Sequence, residues 1–250
     1  RLPSIEPGVI VKFTNGTNLI IDGALIAQGN STHIITFTSN APTPQLGDWG
    51  TIKFRDTSID EACIINWTVM EYASAGITIF NSSPAINNSI MRYNAYGFYS
   101  ESNGIARISN SSILNNTYGI GGSFAYYYYY SSYARSQVSS SRISNNTYGV
   151  NLGSGYLMIK ESTISNNTYG VSSWGTVQIL ASDISYNTHG IVASSATISK
   201  SVISNNNGVG VSPYWYRYDN TTYYYDGTFS ITYSTITGNK EKGVVSKGSS

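Results

Sequence analysis

The sequence predicts an all-β protein, a single-stranded right-handed parallel β-helix of about 10–11 rungs with two loop insertions. First, the octapeptide ISNNTYGV occurs at 143–150 and again, unchanged, at 164–171. Second, its glycine recurs every 20 to 22 residues from Gly76 to Gly210, except for one step of 30 residues. Third, two apolar residues five positions apart precede most of these glycines. Because a unit of this length cannot bury its own apolar face, the units must stack.

Each repeat unit is expected to contain about three short strands. One strand follows the glycine, and the other two contain the paired apolar residues. β-Branched residues in short runs broken by Asn, Gly and Ser favour strands and turns, and no window has sustained helical spacing of apolar residues. We therefore expect the paired residues to form continuous columns inside the coil, with rungs about 4.8 Å apart. The pairs are Ile64/Val69, Ile108/Ile113, Val138/Ile143, Ile159/Ile164, Ile179/Ile184, Ile198/Ile203 and Ile231/Ile236.

The second asparagine of the repeat marks a predicted corner of the coil. Asparagine tolerates the left-handed conformation that a sharp turn needs, and its amide both donates and accepts hydrogen bonds. Since this asparagine lies three residues after the second apolar residue, we expect a structural ladder of side-chain hydrogen bonds between rungs. Its members are Asn116, Asn146, Asn167, Asn187, Asn206 and Asn239. Four aromatic residues are expected to stack near this corner, namely Tyr118, Tyr148, Tyr169 and His189.

The continuous repeat predicts one β-helix domain over residues 1–250, with insertions at about 121–136 and 212–227. Both insertions are rich in tyrosine, a residue that combines large apolar area with a polar tip and is frequent in recognition surfaces. Contact between copies of the chain is the favoured interpretation; packing on their own rod and stacking against sugars are the alternatives. The predicted self-association residues are Tyr126, Tyr127, Tyr128, Tyr129, Tyr130, Tyr214, Trp215 and Tyr216.

The opening segments are typical of the same architecture. Residues 5–13 (IEPGVIVKF), 25–29 (LIAQG) and 47–54 (GDWGTIKF) resemble the first rungs of right-handed parallel β-helix repeat proteins. With the repeat, they make nearly the whole chain similar to this pectin-lyase-like family, which includes the copper-site maturation protein of nitrous oxide reductase and many archaeal surface proteins. The resemblance implies the fold but no single activity, since this fold carries lyases, hydrolases, adhesins and structural proteins.

Composition limits the expected partners. Only 11% of the residues are charged and the formal net charge is +1, so the sequence predicts no basic face for nucleic acid and no acidic face for cations. No run of 18 apolar residues occurs, which predicts no membrane span. Cys63 is the single cysteine and is interpreted as a small core residue, so disulfides are not expected to stabilise the fold. The sequence has no signal peptide, and the abrupt start at Arg1 is interpreted as that of a mature or trimmed chain.

Asn-x-Ser/Thr sequons are dense in this sequence. One interpretation is N-glycosylation of a secreted protein, and the other is that a chain rich in Asn, Ser and Thr forms such triplets by composition. Turn or insertion contexts make Asn15, Asn30 and Asn220 good acceptors. Glycans on adjacent rungs at Asn145 and Asn166 would crowd each other, and strand alternation is an argument for Asn145 pointing inward. The predicted glycosylation sites are Asn15, Asn30, Asn66, Asn81, Asn87, Asn110, Asn115, Asn145, Asn166 and Asn220.

Catalytic and metal-binding patterns are weak. A glycosidase needs two acids about 5–10 Å apart, and the one local concentration of carboxylates, over 47–61, suggests Asp56 with Asp60 or Glu61. A solvated loop is the favoured interpretation of these acids. The two histidines of the chain lie far apart, and no spacing supplies the further ligand that zinc or copper would need. We therefore expect no catalytic residues, no metal, no cofactor and no enzymatic activity.

The leading functional hypothesis is an exported, N-glycosylated structural protein that self-assembles into an extracellular filament, sheath or surface layer. A β-helix leaves an unpaired strand edge at each end, and no helix is expected to cover the ends near Ile5 or Val245. Copies of the chain are therefore the expected partner, as a head-to-tail homopolymer at the cell surface. Glycosylation without disulfides is typical of an archaeal envelope. The alternative hypothesis is a carbohydrate-binding or polysaccharide-degrading β-helix protein.

Overall fold

The computed structural model describes residues 3–124, 136–213 and 228–245, and the backbone of 215–218 and 221–224. These ranges contain 29 strands, one 3₁₀ turn at Asp60–Ala62 and no helix that could cross a membrane. The strands are β1 (Ser4–Ile5), β2 (Ile10–Phe13), β3 (Leu19–Ile21), β4 (Ile26–Gln28), β5 (Ile35–Ser39), β6 (Trp49–Phe54), β7 (Ile64–Asn66), β8 (Thr68–Glu71), β9 (Ala73–Phe80), β10 (Ala85–Asn87), β11 (Ile90–Arg92), β12 (Tyr96–Gly104), β13 (Arg107–Ser109), β14 (Ser112–Leu114), β15 (Tyr118–Phe124), β16 (Ser136–Ser139), β17 (Arg142–Ser144), β18 (Tyr148–Ser154), β19 (Tyr156–Lys160), β20 (Thr163–Ser165), β21 (Tyr169–Leu180), β22 (Asp183–Ser185), β23 (His189–Ser199), β24 (Val202–Ser204), β25 (Val211–Pro213), β26 (Trp215–Tyr218), β27 (Thr221–Tyr224), β28 (Thr228–Thr232) and β29 (Thr235–Thr237).

The strands stack into a coil with three faces, and the predicted all-β parallel β-helix is confirmed. Face 1 contains β3, β6, β9, β12, β15, β18, β25 and the first halves of β21 and β23. Face 2 contains β1, β4, β7, β10, β13, β16, β19, β28 and the second halves of β21 and β23. Face 3 has ten strands, β2, β5, β8, β11, β14, β17, β20, β22, β24 and β29, so the described coil makes about nine turns. Every pairing between coils is parallel.

Each face contributes a column of inward side chains to one core. Most of these side chains are fully buried, and burial of each such Ile, Val, Met or Phe side chain contributes roughly 1.5–3 kcal/mol. The face 2 column is Ala27, Ile65, Ile86, Ile108, Val138, Ile159, Ile179, Ile198 and Ile231. The face 3 column is Val11, Phe37, Met70, Met91, Ile113, Ile143, Ile164, Ile184, Ile203 and Ile236.

The first predicted apolar pair is wrong by one residue. The inward residues of β7 and β8 are Ile65 and Met70, both 0% exposed, rather than Ile64 and Val69. Each strand has two adjacent apolar residues, so a spacing of five residues fits either pair. Hydrogen-bonded register with the next coil decides which pair turns inward, because a shift of one residue reverses every side chain.

The repeat glycine lies where the backbones of successive coils approach most closely. A Cβ atom added to it would lie 2.4–2.8 Å from the carbonyl oxygen of the glycine in the next coil, a distance that side chains do not tolerate. Close approach therefore explains the glycine column. Its members with this contact are Gly76, Gly97, Gly119, Gly149, Gly170, Gly190 and Gly210.

A serine ladder stabilises the corner between faces 2 and 3. The backbone N–H of Ser141 donates to Oγ of Ser162 at 3.1 Å, and that hydroxyl donates to the carbonyl oxygen of Lys160 at 2.7 Å. This ladder was not predicted from the sequence, although a serine two residues before the inward face 3 residue is a regular part of the repeat. Its members are Ser89, Ser111, Ser141, Ser162, Ser182, Ser201 and Ser234.

Candidate functional site

The second asparagine of each repeat lies inside the corner between faces 3 and 1. The Nδ2 of Asn146 donates to Oδ1 of Asn167 at 3.0 Å, and the backbone N–H of Asn146 donates to the same oxygen at 2.9 Å. The Nδ2 of Asn146 also donates to the carbonyl oxygens of Ile113 and Ser144, so one side chain joins three coils. The structure places the six predicted ladder residues in this one column, Asn116, Asn146, Asn167, Asn187, Asn206 and Asn239.

Asn94 extends this column by one coil and was missed by the sequence analysis. Its Nδ2 donates to Oδ1 of Asn116 at 3.2 Å, and its Oδ1 accepts the backbone N–H of Ala73 at 2.8 Å. Its position three residues after the inward residue Met91 is the sequence feature that could have predicted it. It lacks the NNT triplet that marks most of the corner.

The first asparagine of the repeat turns outward at the same corner. Asn115, Asn145 and Asn166 have φ angles of 56° to 57°, in the left-handed region that asparagine tolerates. Asn145 and Asn166 are exposed and Asn115 is half-buried. The expectation of an inward Asn145 is therefore wrong: the strand ends at Ser144, and the corner replaces the strand alternation on which that expectation depended.

An open groove of about 700 Å³ follows this corner along the rod. It spans the coils from Tyr93 to Tyr186, four coil steps or about 19 Å. Tyr186 is 62% exposed and Leu46 is 50% exposed, so apolar surface is accessible within an otherwise polar groove. The lining residues are Leu46, Tyr93, Asn115, Asn116, Thr117, Asn145, Asn146, Thr147, Asn166, Asn167, Thr168, Tyr186 and Thr188.

The lining residues contain amides and hydroxyls but no acidic, basic or histidine side chain. Amides and hydroxyls both donate and accept hydrogen bonds, and here they recur at each coil step. The groove is therefore suited to an uncharged ligand with many hydroxyl groups. Because the buried asparagine ladder positions the walls, the array is preorganised before any ligand binds.

An aromatic stack follows the groove threonines on face 1. The ring centroids of Tyr118, Tyr148 and Tyr169 are 5.0 Å apart, with planes within 11° of parallel. Tyr96 and His189 extend the stack at 4.6 and 5.0 Å. Burial, with a smaller contribution from neighbouring tyrosines, raises the pKa of Tyr96. Since each ring covers the next, the faces within the stack are not open to a ligand, and the stack acts as a support for the groove wall.

Three serines surround the carboxylate of Asp60. This carboxylate accepts hydrogen bonds from the hydroxyls of Ser58, Ser82 and Ser83 and from the backbone N–H of Ser83, at 2.7 to 3.2 Å. Burial raises the pKa of Asp60, but the hydrogen bonds from Ser83, Ser82 and Ser58 together outweigh it and lower the pKa below the usual 3.8. Asp60 therefore joins two successive coils rather than lying in a solvated loop.

The other acids of the 47–61 segment lie apart from the groove. Asp56 and Glu61 are exposed. The carboxylate of Asp48 accepts a hydrogen bond from the hydroxyl of Ser39 at 2.6 Å and another from the backbone N–H of Gln45 at 2.9 Å. These hydrogen bonds lower the pKa of the Asp48 carboxyl. None of these side chains lines the groove.

The histidines and the cysteine are also separated. His33 is exposed beside the hydroxyl of Thr32, His189 packs against Tyr169, and Cys63 is buried. Within the part of the chain that the structure describes, no group of three His, Cys, Asp or Glu side chains is placed to hold a metal ion.

The predicted glycosylation sites differ in accessibility. Asn15, Asn30, Asn81 and Asn110 are exposed, and the last two have left-handed φ angles of 48° and 49° at turns. Asn220 lies outside the described residues.

Two further sequon asparagines lie within strands of face 2. Asn66 and Asn87 are half-buried, and their Oδ1 atoms accept hydrogen bonds from Asn88 and Ser109 respectively. Among the described sites outside the corner, these two acceptors are the least exposed.

The predicted self-association residues fall mostly outside the described residues, as Tyr126–Tyr130 and Tyr214 do. Trp215 and Tyr216 lie in β26, which pairs antiparallel with β27. In the described residues this hairpin pairs with none of the three faces of the coil. The second insertion thus contains a short hairpin outside the β-helix ladder.

Comparisons with known proteins give one structural likeness. No protein-family model matches the chain, and no curated protein matches it. A similar solved structure is the A-module of the mannuronan C-5 epimerase AlgE4 from Azotobacter vinelandii, with 13% sequence identity and a TM-score of 0.36. The match covers 98% of this chain and 87% of that chain. At this identity the likeness concerns the fold.

The expectation that the chain has no enzymatic activity is corrected by this match, because the matching module belongs to an enzyme. A likeness of fold assigns no reaction or substrate to this chain. The stacked parallel strands by themselves give the chain the parallel β-helix fold.

Proposed function

We propose that the chain binds a linear, uncharged polysaccharide along the groove at the corner between faces 3 and 1. The observation that carries this proposal is the in-register array of outward amides and hydroxyls, exemplified by Asn145, Thr147, Asn166 and Thr168. An extended polysaccharide also presents hydroxyl groups at a regular interval. A periodic ligand can therefore repeat the same hydrogen bonds at successive coils.

The aromatic residues of the groove support the same proposal. Sugar rings have apolar faces that pack against aromatic rings, and binding sites for small ligands combine apolar surface with a few placed polar groups. Tyr186 is 62% exposed beside the threonine row. The ring of Tyr93 packs against that of Tyr72, with centroids 5.7 Å apart, and the Arg92 guanidinium lies 5.6 Å from the centroid of the Tyr93 ring.

The test is a binding panel of soluble polysaccharides, using protein from a host without N-glycosylation, with titration calorimetry as the measurement. The double variant Thr147→Val, Thr168→Val lacks two groove hydroxyls. It is expected to bind the preferred neutral polymer about tenfold or more weakly, since each lost hydrogen bond costs about 1 kcal/mol. The matched control is Thr176→Val plus Thr197→Val, two exposed threonines on face 2. Absence of binding across the panel, or equal loss in the control, would contradict the proposal.

A second candidate function is favoured by the β26–β27 hairpin. We infer an exported, N-glycosylated β-helix whose copies associate through the second insertion, as a filament, sheath or surface layer. A two-stranded hairpin is marginally stable alone in water, and its open edges can pair with another strand. The dense sequons favour export and N-glycans in this setting.

Electron microscopy and sedimentation of concentrated protein test the second candidate. Trp215→Ser plus Tyr216→Ser is expected to reduce association while the β-helix stays folded. Tyr233→Ser, which removes an exposed aromatic residue elsewhere, is the control. If the concentrated protein contains only monomers, or if the double variant associates as strongly as the wild type, this candidate is ruled out.

A further inference from the structure

Three residues of the groove wall are themselves sequon asparagines. Asn115, Asn145 and Asn166 each begin an Asn-Asn-Thr triplet, and each has its side chain at the outward corner position. The threonines of these triplets line the same groove. The chemistry that would modify the asparagines and the surface that would bind a polymer therefore share one site.

We propose that Asn145 and Asn166 form a shared N-glycan acceptor site that carries one glycan at a time, and that this glycan occupies the groove in place of an external polymer. The first half depends only on the geometry of the corner. The second half rests on the proposed polysaccharide-binding function.

The modification requires an oligosaccharide donor activated as a glycosyl diphosphate, with a glycosyltransferase. The anomeric carbon of the donor forms a bond to Nδ2 of the asparagine, and its bond to the diphosphate oxygen breaks. The diphosphate leaves with the electron pair, and Nδ2 loses one proton. The threonine two residues later completes the triplet that such transferases recognise.

Asn145 and Asn166 are assigned as the acceptors because their side chains are exposed. Both side chains are exposed at a turn, whereas Asn115 is half-buried at the same corner of an earlier coil. Inside the corner, Asn146 and Asn167 have amides occupied by the ladder and only 3–4% exposure, so they do not compete as acceptors.

Exclusion between the two sites follows from their separation. The backbone N–H of Asn145 donates to the carbonyl oxygen of Ser165, one residue before Asn166, at 3.3 Å. The acceptors therefore lie on adjacent coils, about 4.8 Å apart along the rod. That interval matches the thickness of a packed chain, so one branched glycan blocks both its neighbour and the approach of the transferase.

Closure of the groove follows from attachment at its wall. A tethered glycan competes at an effective concentration of about millimolar or higher, which an external polymer must exceed. The amides and hydroxyls of the groove then bind the chain's own sugar.

The occupancy test uses protein secreted from a host with N-glycosylation. Trypsin cleavage after Arg142 and Lys160 places Asn145 on peptide 143–160 and Asn166 on peptide 161–200, so mass spectrometry measures each occupancy separately. The two occupancies are expected to sum to no more than one per chain. Asn166→Gln is expected to raise occupancy at Asn145, whereas Asn15→Gln, an exposed sequon elsewhere, is expected to leave both unchanged.

Thr168→Ala removes the same sequon without changing the corner asparagine. If Asn166→Gln fails to fold, occupancy at Asn145 is measured in Thr168→Ala instead. Occupancies that sum well above one, or glycans at Asn15 and Asn81 with none at either corner site, would overturn the shared site. Competition that appears in both variants supports it.

The groove test compares polymer binding by the wild-type chain with and without glycans. Glycosylated protein is expected to bind at least about tenfold more weakly. Equal binding by both forms would overturn closure of the groove. Failure of the unglycosylated chain to bind any polymer would instead remove the proposed function, while the occupancy result would still decide the modification.

Discussion

At the scale of single residues, two adjacent asparagines with the same side chain have opposite roles. Asn146 is 4% exposed and bonds to three coils, whereas Asn145 is exposed with φ of 57°. Backbone conformation at the corner, rather than side-chain chemistry, separates the structural position from the groove position. The same distinction recurs at Asn166 and Asn167.

Replacing Asn146 with alanine is expected to lower the free energy of unfolding by about 1–3 kcal/mol, because the N–H and Nδ2 of Asn116 then lose a buried acceptor. Chemical denaturation measures this loss. Asn145→Gly is the control, since glycine accepts the left-handed conformation without the ladder contacts. Equal losses in the two variants would mean that the buried ladder contributes little.

Asp60 makes the free energy of unfolding depend on pH. Its folded pKa is lowered, so its stabilising contribution is present above the unfolded pKa near 3.8 and is lost as pH falls through the folded pKa. Asp60→Asn is therefore expected to be less stable than wild type at pH 7, and the difference in unfolding free energy should shrink below about pH 4. Denaturation at pH 7 and pH 3 measures it. A difference that is constant with pH would refute the role of the charge.

At the scale of structural elements, the glycine column explains why the repeat contains a glycine without positive φ. Face 1 brings the carbonyl of one coil against the Cα of the preceding coil. The asparagine ladder and the glycine column lie close together, because an added Cβ at Gly149 would also lie 3.1 Å from Nδ2 of Asn167. The two features therefore specify the same corner.

Gly149→Ala is expected to destabilise the coil by roughly 1–3 kcal/mol, the usual cost of overpacking. Its Cβ would lie 2.6 Å from the carbonyl oxygen of Gly170. Gly23→Ala is the matched control, because nothing lies within 4 Å of a Cβ at Gly23. Thermal or chemical unfolding measures both variants, and similar stability would show that the coils separate at little cost.

At the scale of the whole molecule, a rod of low charge carries one long groove without ionic side chains in its lining. The Arg92–Glu71 ion pair adjoins the groove at its Tyr93 end, but none of the residues in the four described ion pairs lines the groove. Hydrogen bonds and apolar contact are therefore the interactions that the groove offers.

Binding of the preferred neutral polymer is expected to change less than about twofold between low and high salt, because ions screen charged contacts rather than neutral hydrogen bonds. Calorimetry at two ionic strengths measures this, with a polyuronate as the charged comparison. Strong weakening by salt would contradict binding by the uncharged lining of this groove.

The repeat by itself determined the coil, its inward columns and the position of the asparagine corner. The reason is physical: a stack of identical units places equivalent residues above one another, so one period describes many contacts. The aromatic stack at Tyr118, Tyr148 and Tyr169 follows from the same repetition.

Only the tertiary structure decided the phase of β7 and β8 and the contacts between residues distant in the chain. Spacing could not choose Ile65 over Ile64, because register with the next coil selects the inward residue. It could not place Asp60 among serines more than 20 residues away. Nor could it reveal the groove, because the outward turn of Asn145 depends on a left-handed corner that strand alternation does not describe.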